Sequence, residues 1–198
     1  MAQLTLPGLS AAPALPDGVR YAENVLSAGE ERAAIDVVAS LNLAPFAFHG
    51  FLGNRRTVSF GWHYDFQAAR IEQAAPIPDA LLPYRKIAAD FAGVAPDALE
   101  HLLVIEYAPG AGIGWHRDKA QFGIVTALSL AAPCRMRFRR KAGERWDRLS
   151  VDLAPRSAYV LSGPGRSEWE HSIPAVDRLR YSLTFRTLKD KGAPGARR

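Results

Sequence analysis

The sequence predicts an α+β chain, mainly β, in which helices confined to the first half flank a sheet or barrel built largely by the second. Three observations carry this. Apolar residues recur at helical spacing in two stretches before residue 93, and from residue 101 the period changes to two. The run from Arg180 to Arg186 sorts into an apolar face of Tyr181, Leu183 and Phe185 and a polar face of Arg180, Ser182, Thr184 and Arg186. A chain of 198 residues, 48% of them hydrophobic, is enough for one good core, so one domain over residues 21–188 is expected.

Residues 1–20 read as a mobile or draped N-terminal arm. Pro7, Pro13 and Pro16 oppose a helix, and no charge occurs before Asp17. Tyr21 to Leu26 reads as an extended lead-in. Ser27 and Glu30 have the spacing of a capping box, and Ala34, Ile35, Val38 and Leu41 follow as the core stripe of a helix. Between residues 45 and 78, Arg55, Arg56, Trp62, His63, Tyr64 and Phe66 gather in a loop-and-strand region. Aromatics beside arginines can stack bases and hold phosphates, or simply pack a hairpin onto the core. A second helix spans Asp79 to Phe91, with Gly93 as its stop.

Strands follow. His101, Leu103, Ile105 and Tyr107 share one face of the first. Ala108-Pro109-Gly110-Ala111-Gly112 is a turn by its chemistry and delivers Trp115-His116-Arg117-Asp118 onto the next strand. Ile124 to Leu130 reads as a buried strand. Arg135 to Lys141 places Met136 and Phe138 inward and Arg135, Arg137 and Arg139 outward, as a solvated face or a phosphate track. Trp146 to Leu153 returns as a hairpin, Ser157 to Ser162 is a further strand, and Gly163-Pro164-Gly165 is its turn. Residues 189–198 read as a basic tail.

His116 and Asp118 stand two apart, so on an extended strand both side chains leave one face and can take neighbouring positions on a small divalent metal. His171 is the candidate third ligand. Two histidines and one carboxylate suit non-haem Fe(II) with oxygen chemistry, although Zn(II) accepts the same three donors. Arg180 and Arg186 are either the wet face of an edge strand or lie inside a barrel. Buried there, they need partners, and a ligand with two carboxylates would satisfy them.

Tyr107-Ala108-Pro109-Gly110-Ala111, His116-Arg117-Asp118-Lys119, His171 and Arg180-Tyr181-Ser182-Leu183-Thr184-Phe185-Arg186, in that order, resemble the AlkB family of Fe(II)/2-oxoglutarate dioxygenases. The resemblance implies a double-stranded β-helix (jelly-roll) core over residues 101–188. It also implies Fe(II) on His116, Asp118 and His171, with 2-oxoglutarate and O2 as cosubstrates. Arg180 and Tyr107 would take the far carboxylate, with Ser182 nearby, and Arg186 would sit beside the near carboxylate and Asp118. The implied reaction is oxidative dealkylation of N-alkylated nucleobases of the 1-methyladenine or 3-methylcytosine type in DNA or RNA, releasing formaldehyde, succinate and CO2. Residues 45–78 occupy the place of a nucleotide-recognition lid, which makes Arg55, Arg56, Trp62 and Tyr64 candidate substrate contacts, joined by Arg137 and Arg139. Two positions depart from the family pattern: Ile105 and Ser182 stand where asparagines often occur, and Ile105 cannot hydrogen-bond.

Three alternatives remain open at this level: a hydroxylase or demethylase of a protein or small molecule on the same fold, a noncatalytic nucleic-acid-binding barrel, and a zinc hydrolase. One cysteine, Cys134, excludes an intramolecular disulfide and any multi-cysteine zinc site. A net charge of +5 is compatible with a phosphate backbone as partner. No leader pattern and no membrane-length apolar run are read, so a cytoplasmic monomer without a membrane partner is the expectation.

Overall fold

A computed structural model describes residues 14–48, 51–65 and 70–189. The expected arm up to residue 13, Phe66 and the basic tail from residue 190 lie outside the described residues. In chain order the elements are β1 (Val19–Ala22), α1 (Ala28–Ser40), β2 (Ala44–Phe48), β3 (Phe51–Phe60), β4 (Trp62–Asp65), β5 (Arg70–Gln73), α2 (Leu82–Ala92), β6 (His101–Tyr107), β7 (Ile113–His116), β8 (Phe122–Leu130), β9 (Cys134–Ala142), β10 (Arg145–Leu153), β11 (Ser157–Leu161), α3 (Gly163–Ser167), β12 (Glu170–Ile173) and β13 (Arg180–Leu188). They build a seven-stranded sheet in the order β1-β11-β8-β13-β6-β3-β2 and a four-stranded sheet in the order β10-β9-β12-β7. A two-stranded ribbon, β4-β5, stands apart. The two larger sheets face each other as a double-stranded β-helix.

Period-two alternation gives the large sheet two buried faces. Leu102, Val104, Leu128, Leu130, Ala158, Tyr181, Leu183 and Phe185 pack against α1 and α2. The opposite face turns Ile105, Tyr107, Val125, Ala127 and Tyr159 towards Met136, Phe138, Leu153 and Ile173 of the small sheet. Each fully buried Leu or Phe in these layers contributes roughly 1.5–3 kcal/mol. β13 lies between β6 and β8, so it is a central strand, and the wet-edge reading of its polar face is excluded. Its Arg180, Ser182, Thr184 and Arg186 are all buried inside the β-helix.

The helices follow their sequence signals. Ser27 accepts from the Glu30 amide and the Glu30 side chain accepts from the Ser27 amide, a complete capping box. Ala34 and Val38 are the fully buried residues of α1, while Ile35 and Leu41 are half-buried. The Tyr84 hydroxyl donates to the Glu30 carbonyl at 2.8 Å, which ties α2 to α1. A 3-10 turn at Asp79–Leu81 leads into α2, which stops at Gly93 in the left-handed region.

Three expectations are corrected. The lead-in expected at Tyr21 begins earlier, as β1, which pairs along β11 and extends the large sheet. The turn at Gly163-Pro164-Gly165 is the first part of α3, five residues long, because Pro164 falls in the first helical turn, where its missing N–H costs nothing. β7 ends at His116, so Arg117 and Asp118 lie past the strand expected to carry them. The expected loop-and-strand region holds two hairpins, one completing the edge of the large sheet and one forming the separate ribbon. Among the described residues no helix is long and apolar enough to cross a membrane.

Candidate active site

His116 and His171 face each other as a register pair across β7 and β12, with ring centroids 4.2 Å apart. The fold thus closes a long sequence gap by direct strand pairing. His116 Nδ1 lies 2.9 Å from the Gly114 carbonyl, and a carbonyl can only accept. Nδ1 therefore carries the proton, and Nε2 keeps the lone pair that a metal requires. Asp118 follows β7 with its side chain 5% exposed, and its Oδ2 lies 3.6 Å from His171 Nε2. One donor atom from each of His116, Asp118 and His171 falls within 4.8 Å of the others, so the three could hold one divalent ion.

The charges are arranged for that purpose. Arg186 donates from Nε to Asp118 Oδ1 at 2.8 Å and holds its Nη2 2.7 Å from the same oxygen as an ion pair, leaving Oδ2 to face the histidines. Burial pushes the Asp118 carboxyl up, but Arg186 and the two histidines outweigh it and hold the group well below the usual carboxylate range. Burial lowers both imidazoles, that of His171 down to about 3, with the neighbouring His116 adding to the effect. Near neutral pH the site presents one carboxylate and two neutral rings, the protonation state that binds metal.

Deeper in the β-helix, Arg180 is fully buried. Its Nη2 donates to Ser129 Oγ at 3.1 Å and its guanidinium sits 4.9 Å over the Tyr107 ring, its register partner on β6. Its Nε and Nη1 donors have no partner. A buried guanidinium with unsatisfied donors is costly unless an anion completes it, and a carboxylate matches this geometry. Ser182 is buried beside it with its Oγ 3.0 Å from Thr184 Oγ1. Tyr107, against which Arg180 lies, lines a cavity together with Ile105, His116, Asp118, His171 and Arg186. Ile105, the departure from the family pattern noted in the sequence, forms apolar wall of this cavity.

The candidate substrate residues divide. Arg55 pairs in register with Tyr107, is 9% exposed and lines the same cavity. Arg56, one residue on, leaves the opposite face. Its Nε and Nη2 donate to the Leu43 carbonyl and its Nη1 meets Glu106 at 3.3 Å, so it is not at the site. Tyr64 reaches the site's rim, where Lys119 Nζ sits 4.7 Å over its ring, and Trp62 is half-buried on the same hairpin. The row on β9 is not an open phosphate track. Arg137 donates to Ser172 Oγ, and Arg139 is paired with Glu170 at 2.6 Å. Both lie over the Trp115 ring, at 5.0 and 4.6 Å, and Arg139 also lies 4.5 Å from the Trp146 ring. A Trp-Arg-Trp stack therefore runs from the neighbour of His116 to an exposed tryptophan, beside a groove that Arg117, Arg140 and Lys141 help line.

Two supporting residues carried no sequence signal. Arg166 on α3 donates from Nη2 to the carbonyls of Lys119 at 2.6 Å and Phe122 at 3.0 Å, fixing the loop that follows Asp118. His101 touches Arg186, and only the cross-strand register of β6 and β13 reveals it.

A family model described as the 2OG-Fe(II) oxygenase superfamily matches residues 18–186. The chain is 29% identical to the alkylated DNA repair protein ALKBH8 homolog of Arabidopsis thaliana, over 94% of this chain and 57% of that protein. It is 27% identical to the tRNA (carboxymethyluridine(34)-5-O)-methyltransferase ALKBH8 of Mus musculus, over 87% of this chain and 27% of that protein. The chain thus spans little more than half of one of these relatives and about a quarter of the other. Among solved structures OsALKBH1 superposes with a TM-score of 0.66 at 15% identity, covering 88% of this chain and 98% of that one, a likeness of fold.

Proposed function

Because the chain belongs to the 2OG-Fe(II) oxygenase superfamily and is AlkB-like within it, we propose that this dioxygenase oxidises an alkyl group on a nucleobase of DNA or RNA. N-alkylated bases of the 1-methyladenine or 3-methylcytosine type would leave as the free base with release of formaldehyde. Fe(II), 2-oxoglutarate and O2 come with the family. His116, Asp118 and His171 would hold the metal. When bound, Fe(II) with 2-oxoglutarate would use O2 to oxidise a substrate C–H bond, one oxygen atom going to the substrate and the other to succinate, with CO2 released.

The chain's own residues bind and orient. Arg180, with its unsatisfied donors, receives the far carboxylate of the cosubstrate, and Tyr107 shapes that end of the cavity. Arg186 holds Asp118 in one rotamer. Leu103, Ile105, Val125 and Met136 wall the cavity and exclude water. The stack of Trp115, Arg139 and Trp146 gives the strand flanking a target base an aromatic and cationic edge. Single-stranded or damaged bases cost least to extrude into such a cavity. The observation that carries the reading is the orphaned Arg180 against Tyr107, which lines the cavity of an Fe(II)-type triad, because a zinc hydrolase or a binding barrel has no use for it.

The test is mass spectrometry of single-stranded oligonucleotides bearing 1-methyladenine or 3-methylcytosine, incubated with protein, Fe(II), 2-oxoglutarate and ascorbate. Loss of the methyl mass with wild type and not with His116→Ala is expected. Succinate without methyl loss would reject these lesions and point to other nucleic acids, proteins or small molecules.

One observation favours a second reading. The cavity wall carries the guanidinium groups of Arg55 and Arg186 against a single carboxylate, Asp118. Bases methylated at these ring nitrogens are cationic, whereas a uridine with a neutral or acidic side chain meets no repulsion there. The mouse relative's name points to such a carboxymethylated uridine in tRNA. Under this reading Arg55→Ala lowers turnover of the acidic substrate and not of the methylated base.

A further inference from the structure

We propose that His101 is a positioning residue for the metal-binding carboxylate, acting through Arg186. The inference rests on the reading of His116, Asp118 and His171 as a metal centre.

His101 opens β6 and is the register partner of Arg186 on β13. It is 3% exposed. Its Nδ1 lies 3.2 Å from Arg186 Nη1, and a guanidinium only donates, so the imidazole is the acceptor and its proton sits on Nε2. Arg186 has five N–H donors. Nε donates to Asp118 Oδ1, Nη2 stands 2.7 Å from the same oxygen as an ion pair, and Nη1 donates to His101. The guanidinium plane is therefore pinned on two sides, by an acceptor behind it and by the carboxylate in front. Phe122 completes the seat, with its ring 4.7 Å from the His101 ring and 5.2 Å from the Arg186 guanidinium. Arg166 anchors the Phe122 carbonyl in turn.

With Arg186 pinned this way, Asp118 Oδ1 is engaged by the guanidinium and Oδ2 is turned to His171. Without the acceptor at position 101, Arg186 Nη1 becomes an unsatisfied buried donor, and the guanidinium gains freedom to tilt. The carboxylate can then rotate and present either oxygen. Among the described residues His101 contacts Arg186 through Nδ1 and is no member of the triad, so it reaches the carboxylate only through that guanidinium.

The test is anaerobic titration of metal-free protein with Co(II), followed by its d–d absorption, on wild type, His101→Leu, His101→Asn, His101→Gln and Asp118→Ala. Asparagine places an amide oxygen near the position of Nδ1, glutamine places it one bond farther, and leucine removes it. The expected result is Co(II) affinity about tenfold to a hundredfold weaker in His101→Leu, with an altered band shape, as outer partners of metal ligands generally show. His101→Asn restores affinity and band shape, and His101→Gln does not. If His101→Leu fails to fold, the Asn-against-Gln difference decides. Wild-type affinity in His101→Leu, or equal weakening in Asn and Gln, overturns the proposal. Asp118→Ala separates the two claims: undiminished Co(II) binding in that variant would sink the metal reading itself, whereas its loss alongside an indifferent His101→Leu sinks only the positioning role.

Discussion

Arg180 is unfavourable for the fold and, under the proposed function, suited to receive a carboxylate at the site. It is fully buried, and two of its three nitrogens have no acceptor. Replacement by methionine, similar in length and apolar, removes a desolvated charge at the cost of one hydrogen bond to Ser129. Metal-free Arg180→Met should melt at or above the wild-type temperature, since replacing buried charge by packed hydrophobe is often neutral or stabilising. Its 2-oxoglutarate affinity should fall by about two orders of magnitude, the equivalent of ~3 kcal/mol for a lost charge-assisted pair. Calorimetry and ligand titration read the two effects separately, and a large drop in melting temperature would contradict this account of the residue. At this scale the sequence was informative where spacing carried the chemistry. Arg180 and Arg186 share a face of period two, as the alternation indicates, whereas Asp118 lies past the end of β7 and meets the histidines from a loop, not from the strand expected to carry it. The sequence was silent on Arg55 against Arg56, neighbours that leave opposite faces of β3, because only strand parity decides which one enters the cavity. His101 was invisible as a partner of Arg186, since 85 residues separate them.

Elements place these residues through a few close approaches. The turn between β6 and β7 passes against the start of the β12–β13 connection, where a Cβ added at Gly112 would stand 2.7 Å from the Ile173 carbonyl oxygen and 2.8 Å from the Pro174 carbonyl carbon. Both atoms are backbone and lie two or three residues beyond His171. Gly112→Ala should therefore push β12 from β7 and spoil the His116–His171 pairing. The expected outcome is a Co(II) affinity lowered about tenfold and a stability loss of about 1–3 kcal/mol, as overpacking typically costs, read by titration and urea denaturation. Gly114→Ala is the control, because a Cβ there meets nothing within 4 Å. The alternation of β13 and the capping box of α1 were legible because each is a local pattern. Whether the polar face of β13 looked inward was not, since that depends on the small sheet lying opposite. β1 and α3, four and five residues long, were too short to leave a periodic signature.

For the molecule as a whole, pH reports how the core tolerates buried imidazoles. Burial lowers His101 well below 6.5, with Arg186 adding to the effect, and His116 and His171 are lowered too. Above the unfolded value of ~6.5 both states are neutral and these groups contribute nothing to the pH dependence. As pH falls through it, the unfolded chain takes up protons that the folded chain refuses, so stability is lost on acidification. At pH 5.5 each such histidine costs up to ~1.4 kcal/mol. Metal-free protein should lose stability steadily from pH 7 to 5.5, and His101→Asn should lose less, measured by urea titration at each pH. A net charge of +5 adds a second whole-molecule expectation: nucleic-acid binding should weaken steeply with added salt.

The central claim is that the buried triad and the buried arginine form one centre for Fe(II) and 2-oxoglutarate. The most direct measurement is visible absorption of the metal-free protein after anaerobic addition of Fe(II) and then 2-oxoglutarate, with His171→Ala and Arg180→Met in parallel. The account predicts a charge-transfer band that needs both additions, is absent in His171→Ala, and requires far more 2-oxoglutarate in Arg180→Met. Iron binding without any band, or a band with the same 2-oxoglutarate dependence in Arg180→Met as in wild type, would contradict it.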